Sequence, residues 1–210
     1  MPPKLKTDAE RRQLRTLIID AARDLFVSRG VEAVTMREIA KRIGYSATSI
    51  YLHFADKEAV LRAVCDTDFL ALATSLKNII QIADPVKRMQ ALGQEYAAFA
   101  LTHPNHYRLM FMAAHVAHDP AKSSLQHNSA EQDAYFQLRT VVSDVHAAGY
   151  FRVELQDVDL IAQTIWAGVH GVCSLQISMA CDKWVNWSDI SARLQLMQEV
   201  MMSGLLKDPT

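Results

Sequence analysis

The chain has 210 residues, half of them hydrophobic and 21% charged, with a formal net charge of -1. That composition supplies a sizeable core and excludes a disordered polymer, and the near-neutral total excludes a chain that is basic throughout. The charge is uneven, because residues 1–62 hold 12 Lys and Arg against 8 Asp and Glu while the remainder holds 10 against 15, so a basic N-terminal module precedes an acidic body.

In chain order, nearly everything reads as helix. Leu14, Leu17, Ile18, Ala21, Ala22, Leu25 and Phe26 form one apolar stripe, and Gly30 stops it. Thr35-Met36-Arg37-Glu38 is a capping box that opens a short helix, Met36–Ile43, with Ile39, Ala40 and Ile43 inward. Gly44 ends it. Ser46 caps a second short helix, Ala47–Phe54, held by Ile50. Asp56 caps a longer one carrying Leu61, Val64, Cys65, Leu72, Leu76 and Ile79. Asp84-Pro85 starts another, and His103-Pro104 breaks and restarts the chain. Residues 117–128 are expected to be a loop, followed by a helix from about Leu125 to Gly149 and another from about Asp157 to Cys181. Ser188 is expected to cap the last, which carries Ile190, Leu194, Met197, Met201 and Leu205. The run 160–181 is apolar, but Gln163, Thr164, His170, Ser174 and Gln176 interrupt it, so it reads as a buried helix in preference to a membrane span.

The two short helices around Gly44 form a helix-turn-helix pattern. The first crosses the DNA backbone, with its N-terminal N–H groups and the Thr35 hydroxyl near a phosphate. The second enters the major groove, so its leading residues must be small: Tyr45, Ser46, Ala47, Thr48 and Ser49 offer methyls to thymine and hydroxyls to phosphates or base edges. Tyr51 and His53 follow a turn later, and Lys57 opens the next helix, where cation and helix dipole both attract a phosphate. The recognition helix has no leading Arg, Gln or Asn, which leaves Arg37 as the candidate for a guanine contact and puts weight on methyl contacts and DNA shape. Lys4, Lys6, Arg11 and Arg12 form a basic arm, either a solvated tail or a contact to the minor groove or backbone.

The run T-x-R-E-I-A-x-R-I-G-Y-S-x-x-S-I-Y-x-H-F-x-D-K-E-A-V-L, preceded by A-A-R-x-L-F-x-x-x-G, resembles the DNA-binding domain of the TetR family of transcriptional regulators over residues 15–62. The resemblance implies DNA contacts from Thr35, Arg37, Tyr45, Thr48, Ser49, Tyr51, His53 and Lys57, with Phe54 packed inward. The segments HPNHYRLMF (103–111) and WAGVHG (166–171) resemble the C-terminal domain of the TetR subgroup named for its Trp-His-Gly motif, which implies ligand binding and dimerisation. Candidate pocket residues are Phe69, Phe99, Tyr107, Met110, Phe111, Tyr135, Phe136, Trp166 and His170, aromatic or adaptable side chains that would equally build a core. Residues 158–181 and 189–206, with Ala167, Gly168, Gly171 and Ser174 on close faces, suit a four-helix dimer interface.

Other chemistry is weaker. His103-x-x-His106 and His115-x-x-His118 with Asp119 have a spacing that two imidazoles can share on one helix face, but no cysteine is near, so no metal is expected. Cys65, Cys173 and Cys181 lack C-x-x-C spacing and sit on apolar stretches, which points to inert buried thiols in a reducing interior. Asn186-Trp187-Ser188 matches a glycosylation sequon, yet MPPKLKTDAERR has no apolar signal segment, so the sequon reads as a loop and the protein as cytoplasmic. No Gly-rich phosphate loop, G-x-S-x-G or H-E-x-x-H is present. The expectation is an all-α protein with a three-helix helix-turn-helix domain (1–62) joined to a larger helical domain (63–210). It would be a homodimer that binds a palindromic DNA operator, most simply a repressor released by a small apolar effector, with no cofactor and no enzymatic activity. The alternatives are an activator, a ligand-blind regulator, or a helical carrier of hydrophobic molecules that needs no DNA.

Overall fold

The computed structural model describes residues 7–112 and 122–207. Its first helix, α1 (Asp8–Arg29), begins at a capping box: the Thr7 hydroxyl accepts from the Glu10 amide, and the Glu10 carboxylate accepts from the Thr7 amide. The T-x-x-E spacing was there to be read. Gly30, at φ 80°, turns the chain out of α1. The Thr35–Glu38 box opens α2 (Met36–Arg42) as expected. Gly44, at φ 73°, makes the turn that only a residue without Cβ adopts at little cost. Ser46 then caps α3 (Ala47–Tyr51), accepting from the Ser49 amide. This helix is shorter than the sequence suggests: beyond it, bonds from the His53 and Phe54 amides to the Ile50 carbonyl bend the chain inward, and Phe54 is buried.

Asp56 caps α4 (Lys57–Ser75) by accepting from the Ala59 amide. The helix tightens into a 3-10 stretch at Leu76–Gln81. There the Thr74 and Ser75 hydroxyls turn back onto the Leu70 and Leu72 carbonyls, bonds that compete with a regular ladder. Asp84 and Pro85 open α5 (Pro85–Thr102), and Pro104 restarts the chain as α6 (Pro104–Phe111). The next helix does not start at Leu125. Residues 126–133 form turns held by side chains, with Asn128 at φ 58°, because this polar stretch has no apolar stripe to bury. Asp133 caps α7 (Ala134–Ala147) instead. Asp157 caps α8 (Val158–Met179), and Asp189, not Ser188, caps α9 (Ile190–Leu205). The Asp189 carboxylate accepts two amides, while the Ser188 carbonyl is taken by Arg193.

The chain divides into two compact units: Met1–Asp68 with Asn105–Leu125, and Phe69–Pro104 with Gln126–Thr210. In the first, α1, α2 and α3 pack around Ile18, Ile39 and Ile50, none of which is exposed at all; each such side chain contributes about 1.5–3 kcal/mol by leaving water. A buried ionic cluster completes it. Asp68 accepts from Arg23 Nε at 3.0 and 3.2 Å, with Arg23 Nη2 at 2.8 Å and His106 Nδ1 at 3.0 Å. Burial pushes the Asp68 carboxyl up, and Arg23 and His106 pull it back only in part. Asp66 accepts from both Ser123 and Ser124.

In the second unit α5, α7 and α8 pack on one another and α9 lies on α8. At Gly168 α9 comes close, since a Cβ there would stand 3.2 Å from Met197 Sδ. Gly171 meets nothing within 4 Å, so no approach within the chain requires it. Gln137 is buried in this unit and donates to the Ala73 and Ala130 carbonyls, with no partner for its Oε1. Among the described residues one antiparallel bridge, Phe151 to Leu206, ties down the end of α9.

Candidate nucleic-acid interface

The surface of α2 and α3 gathers most of the residues expected to face DNA. Thr35, Arg37, Tyr45, Ser46, Thr48 and Tyr51 are exposed, and Ala47, Ser49 and His53 are half-buried. Among the described residues, the side chains of Arg37, Thr48 and Tyr51 make no internal hydrogen bond, which leaves their polar groups to solvent or a ligand. Ile50 and Phe54 anchor the segment from beneath, with the Arg15 guanidinium 5.0 Å over the Phe54 ring.

Several of the other polar groups already have partners. The Thr35 hydroxyl donates to Glu38 Oε2 at 2.9 Å, and Arg29 Nη1 lies 2.7 Å from Glu38 Oε1. Arg29, then Thr35, hold the Glu38 carboxyl down at about 2. The Ser46 and Ser49 hydroxyls share a hydrogen bond of 2.9 Å. Lys57 Nζ donates to the Val31 carbonyl at 2.8 Å and the Glu32 carbonyl at 3.3 Å, so the ammonium expected near a phosphate is engaged by the turn between α1 and α2.

The expected pocket residues fall into both units. Tyr107 and Met110 are buried in the first unit, and the Tyr107 and Phe111 rings are 5.0 Å apart. In the second, Trp166 lies 6.1 Å from Tyr135 and 5.9 Å from His170, ring to ring. Sequence reasoning missed the residue at their centre. The buried Tyr96 hydroxyl accepts from Trp166 Nε1 at 3.2 Å and lies 3.0 Å from His170 Nδ1. A tyrosine on the apolar side of α5, three residues before Phe99, was the available signal, since a buried hydroxyl needs a partner. Burial pushes the His170 imidazole down and so favours its neutral form. Phe99 stacks on His103 at 4.9 Å, and Phe69 and Phe136 are half-buried.

The histidines have separate uses: His103 is the C-cap of α5, and His106 faces Asp68. His115, His118, Asp119, Lys4 and Lys6 lie outside the described residues, among which no group of three metal-ligating side chains occurs. Burial pushes the Cys65 thiol up to about 12 and the Cys173 thiol up to about 11. The expectation of three buried thiols fails at Cys181, which is exposed because it lies past the end of α8.

Comparison with known proteins places this geometry. Residues 18–64 match the family model for bacterial regulatory proteins of the TetR family, and residues 89–197, more than half of the chain, match the model for the tetracycline repressor-like C-terminal domain. The chain belongs to the TetR family. It is a DNA-binding transcriptional regulator and not an enzyme, which sets aside the carrier reading. Its relatives include the HTH-type transcriptional repressor KstR2 of Mycobacterium tuberculosis, 29% identical over 160 residues that cover 72% of this chain and 78% of the relative. The HTH-type transcriptional activator FasR of Mycolicibacterium smegmatis is 28% identical over 167 residues, covering 78% and 74%. The fold also matches FadR from Bacillus subtilis, solved in complex with stearoyl-CoA, with a TM-score of 0.73 at 19% identity over 90% of this chain and 98% of that one.

Proposed function

We propose that this TetR-family regulator is a homodimeric repressor, with residues 1–62 as its DNA-binding module and residues 63–210 as its ligand-binding and dimerisation domain. A small, largely apolar effector would release it from a palindromic operator. The observation that carries the DNA face is the joint exposure of Arg37, Thr48 and Tyr51, whose side chains make no hydrogen bond among the described residues. We assign base or phosphate contacts to Thr35, Arg37, Tyr45, Ser46, Ala47, Thr48, Ser49, Tyr51 and His53. One short helix discriminates weakly, and two related by a two-fold axis read half-sites roughly 34–36 Å apart or a multiple of that. A repressor needs only to occupy its operator, whereas an activator, as FasR is named, needs a further protein surface.

Support for the dimer comes from α8 and α9. The first is long and apolar enough to cross a membrane, yet only 28% of that stretch is buried within the chain. Leu160, Leu175 and Met179 on α8 and Leu196 and Val200 on α9 are exposed. A second copy of the same two helices would cover them as a four-helix interface. For the effector, the second unit offers Tyr135, Trp166, neutral His170 and the Tyr96 hydroxyl, a mainly aromatic group with few polar atoms that suits an uncharged or apolar molecule. Effector binding would shift operator affinity only by its difference in affinity between the two conformations, and α4 is the continuous element along which the shift would pass.

A gel shift with the gene's own upstream DNA tests the reading. Arg37→Ala and Tyr51→Ala should each weaken binding by about 1–3 kcal/mol, roughly 5- to 150-fold. Unchanged affinity in both would refute the assigned face. Quenching of Trp166 emission by a compound that releases DNA, lost in Trp166→Phe, tests the effector site.

A further inference from the structure

We propose that the effector meets the protein through the Nε2–H of His170, a donor that Tyr96 sets in place, and that the effector therefore carries an uncharged oxygen acceptor such as a ketone or ester carbonyl. The inference rests on the reading of Tyr135, Trp166 and His170 as the effector site. It makes Tyr96 a positioning residue.

Trp166 and His170 stand one helical turn apart on α8, so their rings share a face. Tyr96 reaches both from α5. Its residue is only 6% exposed, whereas Tyr135, Trp166 and His170 are half-buried. The hydrogen bonds thus run from an enclosed hydroxyl outward to a partly accessible imidazole.

Donors and acceptors along that run can be ordered. An indole N–H only donates, so the Tyr96 oxygen accepts from Trp166 Nε1 at 3.2 Å. The phenol has one hydrogen, and His170 Nδ1 lies 3.0 Å from its oxygen. That hydrogen goes to Nδ1, since the reverse order would make one phenol oxygen accept two N–H groups. An imidazole that accepts at Nδ1 carries its own hydrogen at Nε2. Burial pushes the imidazole down, which keeps a second proton off the ring. Successive hydrogen bonds polarise one another, so the relay strengthens Nε2–H as a donor.

The surroundings narrow the ligand further. The Trp166 ring lies 6.1 Å from Tyr135 and 5.9 Å from His170, which gives the donor aromatic walls. A molecule with an apolar body and one accepting oxygen suits such a place. A carboxylate suits it poorly, because none of these side chains is a permanent cation to offset its desolvation. A group that only donates would meet an Nδ1 lone pair already taken by Tyr96.

Two measurements on the full-length protein test this. Long-range proton–nitrogen NMR reads the tautomer of His170, its signal identified by loss in His170→Phe. The wild type should carry hydrogen at Nε2, and Tyr96→Phe should show a mixture of tautomers. Binding is read as the part of the tryptophan emission change that Trp166→Phe removes, with methyl octyl ketone and decene as probes of equal carbon count. The ketone should bind roughly three- to tenfold tighter than the alkene, the contribution of one hydrogen bond. His170→Phe should abolish that preference, Tyr96→Phe should reduce it, and His170→Gln, which keeps an N–H, should restore part of it. A wild type with its hydrogen at Nδ1, or equal affinity for the two probes, overturns the proposal and leaves the effector site standing. If neither probe changes Trp166 emission, the effector site itself fails and the proposal with it. Should His170→Phe not fold, His170→Gln identifies the NMR signal and the preference in Tyr96→Phe decides.

Discussion

Replacing Arg23 by Met strips the buried Asp68 carboxylate of its main partner. Asp68 has no exposed side-chain surface and Arg23 only 10%, and they meet through two guanidinium nitrogens at 2.8–3.2 Å. After the change Asp68 keeps only His106, while Asp20, 56% exposed, returns to solvent at little cost. Breaking one side of a buried pair costs about 3–5 kcal/mol. For a chain of this size that lowers Tm by roughly 6–20 °C, read by circular dichroism. The loss should also depend on pH. Burial raises the folded Asp68 pKa, and removing Arg23 removes a group that lowers it. A carboxyl whose folded pKa lies above its unfolded value favours the fold below the unfolded value, near 3.9, and that contribution disappears as pH rises through the folded one. The Arg23→Met deficit should therefore be smaller at pH 5 than at pH 8. Replacing both residues, as Arg23→Met with Asp68→Leu, should recover most of the loss, because an apolar pair of similar volume has no charge to desolvate. A single variant within about 1 kcal/mol of wild type, with no pH dependence, would show that the cluster does not hold α1 to α4 as its geometry implies.

Three further outcomes follow from single contacts. Gly168→Leu should destabilise by about 1–3 kcal/mol in urea denaturation, because α9 is too close at Met197, while Gly168→Ala should be nearly neutral as the thioether yields; an innocuous Leu would refute the close packing. The Glu38 carboxyl should titrate near 2 by carbon NMR and move up toward 4.5 in Arg29→Met; since its folded pKa is depressed, its support of the α2 cap is present above about 4.5 and lost as pH falls through about 2. Gln137→Glu would place a carboxylate against the Ala73 and Ala130 carbonyls, so this variant should be markedly more stable at pH 4 than at pH 8 by thermal melts, and a flat profile would contradict the buried geometry.

Much of the helical framework was legible because its signals are local. Thr35 to Glu38, Ser46 to Ser49 and Asp84 to Lys87 are cap interactions within three residues, and Gly30 and Gly44 stop helices by their own backbone freedom. The misplaced starts near Leu125 and at Ser188 failed for local reasons too: residues 126–132 carry no apolar stripe, so the helix waits for the Asp133 cap, and at Ser188 the adjacent Asp189 was the better cap. Within the candidate site, the residue types on α2 and α3 were readable, but the uses of their polar atoms were not. Nothing in G-Y-S-A-T-S tells that the Ser46 and Ser49 hydroxyls bond each other.

By itself, then, the amino-acid order determined what acts over one or two helical turns: the caps, the stops, the apolar stripes and the small-residue face of α3. The tertiary structure alone decided the partners that chain separation hides. Arg23 and Asp68 are 45 positions apart, Lys57 and Val31 are 26 apart, and Tyr96 and His170 are 74 apart. A capping residue is satisfied by the backbone it adjoins, whereas a buried charge or hydroxyl takes whichever partner the packing of distant helices brings within about 3 Å.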